Sequence, residues 1–147
     1  MASGTTISLC HRAGDDLSRA LRPALVAVHE YAAQIALDAA MTRRLAIVAE
    51  ELMINLLEHG AAMAGCTELN ATLRLDQAGD GVVMVLEDDG APFDPRGAGQ
   101  VELPNAERGG GVGLALVKAF AQIDDYVTER GCNRLTLRMN SRRSGNA

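Results

Sequence analysis

Leu17, Leu21, Leu25, Val28, Ala32 and Ile35 recur at spacings of three and four, which predicts one amphipathic helix reaching about Ala36. Asp15 or Asp16, just after Gly14, supplies a cap and favourable charge at its start. Pro23 lies inside this stripe, so the helix either begins near Arg22 or bends at the proline. A second helix is predicted from Thr42 to about Ala62, with Leu45, Val48, Leu52, Ile54, Leu56 and Leu57 as buried candidates and Gly60 and Gly65 bracketing its stop. Period-two patterning marks the strands. Thr5 to Arg12 alternates in part, and Leu69, Ala71, Leu73 and Leu75 alternate with Asn70, Thr72, Arg74 and Asp76. Ala78-Gly79-Asp80-Gly81 then reads as a turn into the valine-rich run Gly81 to Glu87, so the two runs form an antiparallel hairpin. A third helix is expected from about Gly111 to Ile123, followed by strands Tyr126 to Arg130 and Arg134 to Met139 around Gly131-Cys132-Asn133.

The predicted order is strand, helix, helix, strand, strand, glycine-rich segment, helix, strand, strand. Short strand-to-strand connections exclude the crossovers a parallel sheet needs. The expected fold class is α+β, a two-layer α/β sandwich whose mostly antiparallel sheet is covered on one face by helices. Residues 1–147 read as a single domain, with Asn140 to Ala147 a polar, flexible tail. One stretch breaks the regular patterning. Residues 90–113 hold seven of the fifteen glycines and three of the four prolines, and long irregular segments inside compact domains are usually functional or disordered.

Composition narrows the function classes. The 147 residues are 48% hydrophobic and 22% charged, with a net charge of −5, so bulk attraction to nucleic acid or to an acidic membrane is not expected. Two tyrosines and two phenylalanines make no stacking row for bases. Cys10, Cys66 and Cys132 form no CxxC pair, and His11, His29 and His59 are scattered, so neither a disulfide framework nor a zinc signature is present. No segment has the ~20 apolar residues of a membrane span, and the N-terminal stretch lacks the pattern of a secretory signal, so the expected location is the cytoplasm.

Three groups of residues carry candidate chemistry. Glu51, Asn55 and His59 stand at i, i+4 and i+8, one row on a continuous helix. There the amide oxygen suits a hard cation such as Mg²⁺ and the acid can receive a proton. Asp88-Asp89-Gly90 closes a valine-rich strand, where a carboxylate can accept from an amino group such as that of adenine and Gly90 allows close approach of a flat ligand. Arg108-Gly109-Gly110-Gly111-Val112-Gly113-Leu114 opens the third helix, and bare N–H groups at a helix start favour phosphate. Each group alone fits a bland reading as well: a solvated face, an acidic turn, a hinge. Their order matches what a nucleoside triphosphate requires.

In these motifs the chain resembles the GHKL superfamily, the histidine-kinase-like (HATPase_c, Bergerat-type) ATP-binding fold of sensor histidine kinases, DNA gyrase and mismatch-repair proteins. Within it the chain is most similar to the bacterial anti-sigma factor serine kinases. The likeness runs from about Leu45 to Met139. Leu45 to Gly60 resembles the asparagine-bearing box; Asp88-Asp89-Gly90-Ala91-Pro92-Phe93-Asp94-Pro95 resembles the second box; Gly109 to Val117 resembles the third. The closing Gly131-Cys132-Asn133-Arg134-Leu135-Thr136-Leu137 is similar to that branch's last strands. Leu56 stands where the branch usually has alanine, and the assignment of each glycine to a phosphate is open by one position.

The resemblance implies an ATP- and Mg²⁺-dependent protein serine kinase that is also an anti-sigma factor. Such a protein binds a sigma factor and phosphorylates a serine of a STAS-type anti-sigma-factor antagonist, and it forms a homodimer. It implies Glu51 as general base, Asn55 as the Mg²⁺ holder with His59 near metal and phosphates, and Asp88 with Gly90 at the adenine. Gly109, Gly110, Gly111, Val112, Gly113 and Leu114 would meet the phosphates, residues 96–110 would form a lid, and Thr136 would support the adenine–aspartate contact. Lys118 faces either the phosphate side or solvent. The alternative is an ATP-binding protein-interaction module with little or no kinase activity, which keeps the same pocket.

Overall fold

The structure is a computed structural model that describes residues 4–60, 68–97 and 110–140, with backbone alone at 59–60 and 110–112. The expected lid over 96–110 lies outside the described residues except at its ends, as do Gly109, Ala61 and Ala62, and nearly all of the tail. Strand β1 (Thr5–Arg12) is followed by helices α1 (Ser18–Gln34) and α2 (Ala39–Asn55), the latter running into a π turn at Leu56–Gly60. Hairpin β2 (Glu68–Ala78) and β3 (Gly81–Asp88) comes next, then α3 (Gly110–Phe120), β4 (Gln122–Glu129) and β5 (Cys132–Met139). The five strands form one sheet in the order β1-β2-β3-β5-β4, every neighbouring pair antiparallel. This is the α+β architecture that the patterning predicts.

Alternation decides which sheet face the helices cover. Ile7, Leu9, Leu73, Leu75, Val82, Met84, Leu135, Leu137 and Met139 point to one side and are buried against Val28 and Tyr31 of α1, Leu45, Val48 and Leu52 of α2, and Val117 of α3. The interleaved Ser8, Cys10, Asn70, Arg74, Arg134 and Arg138 are exposed on the other face. Among the described residues no helix is long and apolar enough to cross a membrane.

Five boundaries differ from the sequence reading. Helix α1 starts at Ser18, whose N–H is taken by the Asp16 carboxylate at 3.0 Å, and continues unbroken past Pro23. The proline is exposed in the second turn, so its missing N–H costs only the bond to Arg19 rather than the helix. Helix α2 begins three residues ahead of Thr42 because Asp38 caps it, accepting the Met41 N–H at 2.7 Å. The third helix ends at Phe120 instead of Ile123, and β4 begins at Gln122 instead of Tyr126. A bulge between Ile123 and Asp125 sets Ile123 opposite Leu137 and Tyr126 opposite Leu135, on one face at a spacing of three. That spacing imitates a helix. The last turn is the two-residue Arg130-Gly131, at φ +52 and +76, so Cys132 and Asn133 belong to β5 rather than to the turn.

Candidate functional site

Asp88 ends β3 directly opposite Asn133 of β5. Asn133 is 1% exposed, on the helix-facing side of the sheet. Its Nδ2 donates to Asp88 Oδ1 and to the Gly90 carbonyl, both at 2.9 Å, and its Oδ1 accepts from Thr128 Oγ1 at 3.0 Å. The Gly90 N–H also donates to Asp88 Oδ1 at 2.9 Å. One carboxylate oxygen is thus held by two donors, which fixes the group and leaves Oδ2 as the acceptor a ligand can use. Burial raises the Asp88 pKa above the usual carboxylate value, the Asn133 and Gly90 bonds oppose that shift, and the Asp89 charge adds to it.

Thr136 does not provide this support. It pairs with Val85, three residues beyond Asn133, and alternation turns it to the opposite face of the sheet from Asp88. The polar partner of the aspartate is Asn133. A sequence signal for it existed: an amide in the inward positions 133, 135, 137 and 139 is a buried polar group that must find partners. Asn133→Ala is expected to lower stability by roughly 1–3 kcal/mol, read as a lower thermal midpoint, whereas Thr136→Val changes it little. Equal effects of the two substitutions would contradict this placement.

Glu51 and Asn55 lie one turn apart on α2, while the backbone beyond Asn55 winds as a π turn. The row of three therefore keeps α-helical spacing only as far as Asn55, and the His59 side chain lies outside what is described. Asn55 Nδ2 is buried with no hydrogen-bond partner, an arrangement that costs stability unless a bound group completes it. A flip of the amide would put its oxygen at the same position. Glu51 packs against the start of α3, so closely that a Cβ on Gly113 would overlap its carboxylate. Burial raises the Glu51 pKa, with smaller contributions from the Glu50 and Glu58 charges. Because the group displaced by a new methyl would be the flexible end of Glu51, Gly113→Ala is expected to fold with unchanged or higher thermal stability, as alanine favours a helix over glycine by about 1 kcal/mol. Its Glu51 carboxylate would be moved, visible as a change in that group's titration by NMR; a plain loss of folding would contradict the packing.

Asn55 and Asp88 line one cavity together with Leu52, Leu56, Leu86, Leu114, Leu135, Ala91, Phe93, Pro95 and Tyr126. Apolar walls with a single oriented carboxylate suit a flat, mostly apolar ligand bearing an amino group. Glu51 is not among the lining residues; it meets Gly113, next to Leu114, through which the start of α3 joins the wall. The N-terminal N–H groups of that helix, over Gly110, Gly111 and Val112, are where an anion gains most. Lys118 lies outside the cavity lining, exposed on α3, and donates to the Arg96 carbonyl at 3.4 Å.

Asn55 offers a hard oxygen donor of the kind Mg²⁺ takes while keeping several waters. Among the described residues no group of three or more His, Cys, Asp or Glu side chains could hold a metal by itself, so such a cation would draw its remaining ligands from phosphates and water. The residues present fit both groups, nucleotide and cation.

Residues 15–139 match the family described as the histidine kinase-like ATPase domain. The chain belongs to this family. Strand β1 precedes the matched span, yet it completes the ATPase domain's sheet by pairing with β2 along its whole length. The fold is also similar to that of a chain in the crystal structure of the SiaB–SiaC complex from Pseudomonas aeruginosa. That likeness covers 89% of this chain and 88% of the other, with a TM-score of 0.50 and 19% identity, and it is a likeness of fold. No curated protein matches the chain.

Proposed function

We propose that this histidine kinase-like ATPase domain is an ATP- and Mg²⁺-dependent protein serine kinase and anti-sigma factor. It would act in the cytoplasm as a homodimer, binding a sigma factor and phosphorylating a serine on a STAS-type anti-sigma-factor antagonist. The observation that carries the kinase reading is Glu51, a partly buried carboxylate of raised pKa set against the start of α3, one turn from Asn55. A domain that only held nucleotide would need Asp88 and the apolar walls but no such base. The raised pKa brings Glu51 nearer the working pH, where a general base is most effective.

In this reading Asp88 Oδ2 accepts the adenine amino group and Asn133 keeps the carboxylate oriented. Backbone N–H groups at the start of α3, including those of Gly111 and Gly113, receive phosphate oxygens. Asn55 would hold Mg²⁺, which would supply positive charge to offset that of the phosphates. Glu51 takes the proton of the substrate serine as its hydroxyl oxygen bonds to the γ-phosphorus and the bond to the bridging oxygen breaks, leaving ADP. The SiaB–SiaC chain was solved in a complex of two proteins, which supports a protein partner here.

Incubating the full chain with γ-labelled ATP, Mg²⁺ and candidate antagonist proteins tests the proposal. Labelled phosphoserine on one antagonist is the expected result. Tight ATP uptake with no label on any of them would instead leave an interaction module.

A further inference from the structure

Part of the cavity wall is neither helix nor strand. Ala91, Phe93 and Pro95 lie on the stretch 90–96 that follows β3, a strap fastened at Gly90 and at Arg96. At one end the Gly90 carbonyl accepts from buried Asn133, and at the other the Arg96 carbonyl accepts from Lys118. Midway, the Phe93 N–H donates to the Tyr126 hydroxyl at 2.8 Å. Tyr126 belongs to edge strand β4 and lines the same cavity, so one side chain both walls the site and holds its cover.

The cavity is partly open to solvent and holds about 40 Å³. Small-molecule sites are usually about 300–1,000 Å³, so a nucleotide base enters only if part of the wall moves outward. The other walls are fixed by strand ladders and helix packing. The strap lacks those ladders, and Phe93 is already 40% exposed, so lifting it costs mainly the burial of Pro95.

We infer that Tyr126 is a latch: its hydroxyl holds the strap in the closed position, and nucleotide entry requires the Phe93–Tyr126 hydrogen bond to break. The inference rests on the nucleotide-binding reading and adds a positioning residue that controls access. The closed population competes with the ligand, so apparent affinity is reduced by the fraction closed. Removing the hydroxyl while keeping the ring therefore strengthens binding.

The test is Tyr126→Phe in the full chain. The loss of one hydrogen bond should speed exchange of the Phe93 amide by roughly 2- to 10-fold, measured by NMR without nucleotide. Stopped-flow mixing with a fluorescent N-methylanthraniloyl-ATP should show association faster by a similar factor, tighter binding and an unchanged dissociation rate. A merely structural tyrosine would leave association unchanged or weaken binding. Phe93 exchange equal to that of the parent, or nucleotide uptake at an unaltered rate, overturns the latch alone. No uptake by either protein overturns the nucleotide reading and the latch with it.

Discussion

Glu51→Gln is expected to cut phosphoryl transfer by about 10²- to 10⁴-fold, the usual contribution of a positioned general base, while ATP affinity stays close to that of the parent. Glutamine keeps the shape beside Gly113 and loses the ability to accept the serine proton. Burial raises the Glu51 pKa, so the acid limb of the rate profile should lie at higher pH than an ordinary carboxyl at 4.5 would give. The sign for stability is the reverse of the usual acidic group. A folded-state pKa above the unfolded one favours the protonated form in the fold, so stability present in acid is lost as pH rises through the folded value. At neutral pH the variant should then be at least as stable as the parent, and a lower thermal midpoint would show that Glu51 does something other than wait for a proton. Transfer assays across pH, run beside nucleotide titration and thermal unfolding, separate these outcomes.

Asp88→Asn should abolish most adenine-nucleotide binding without harming the fold. A hydrogen bond to a charged acceptor contributes about 1.5–3 kcal/mol, which is roughly 10- to 150-fold in affinity, and a single amide dipole cannot replace it. The neighbouring bonds survive the change: the asparagine oxygen can still accept from Asn133 Nδ2 and the Gly90 N–H. The Asp88 pKa is raised chiefly by burial, so ionisation costs stability progressively once pH passes 3.8 and fully above the folded value. Removing that charge should leave the thermal midpoint unchanged or higher at neutral pH, while calorimetry records the loss of nucleotide. Retained affinity in the variant would remove Asp88 from the site.

Comparison of these side chains with the patterning shows which kinds of information a sequence holds. The span of β1, the Gly79 turn with its φ of +58, and the inward row of β2 follow from local alternation and turn chemistry, and all were legible. Asp88 was legible as well, because an acid after a valine-rich run marks the end of a strand. What escaped depends on partners far along the chain. Asn133 matters through Asp88, 45 residues away, and Tyr126 through Phe93, 33 residues away. The bulge in β4 converted a strand's period into a helix's, and the π turn after Asn55 broke a row that continuous α-helix would have extended to His59. Asp38, three residues ahead of Met41, is a local cap signal that moves the helix start ahead of Thr42.

Titration calorimetry of the full chain with ATP, in the presence and absence of Mg²⁺, asks whether Asn55, Asp88 and the start of α3 bind one nucleotide–metal unit. If they do, uptake is saturable and one-to-one, is strengthened by Mg²⁺ in the parent, is removed by Asp88→Asn, and loses its Mg²⁺ dependence in Asn55→Ala. Absence of uptake, or uptake that is indifferent to both substitutions, would contradict that shared binding.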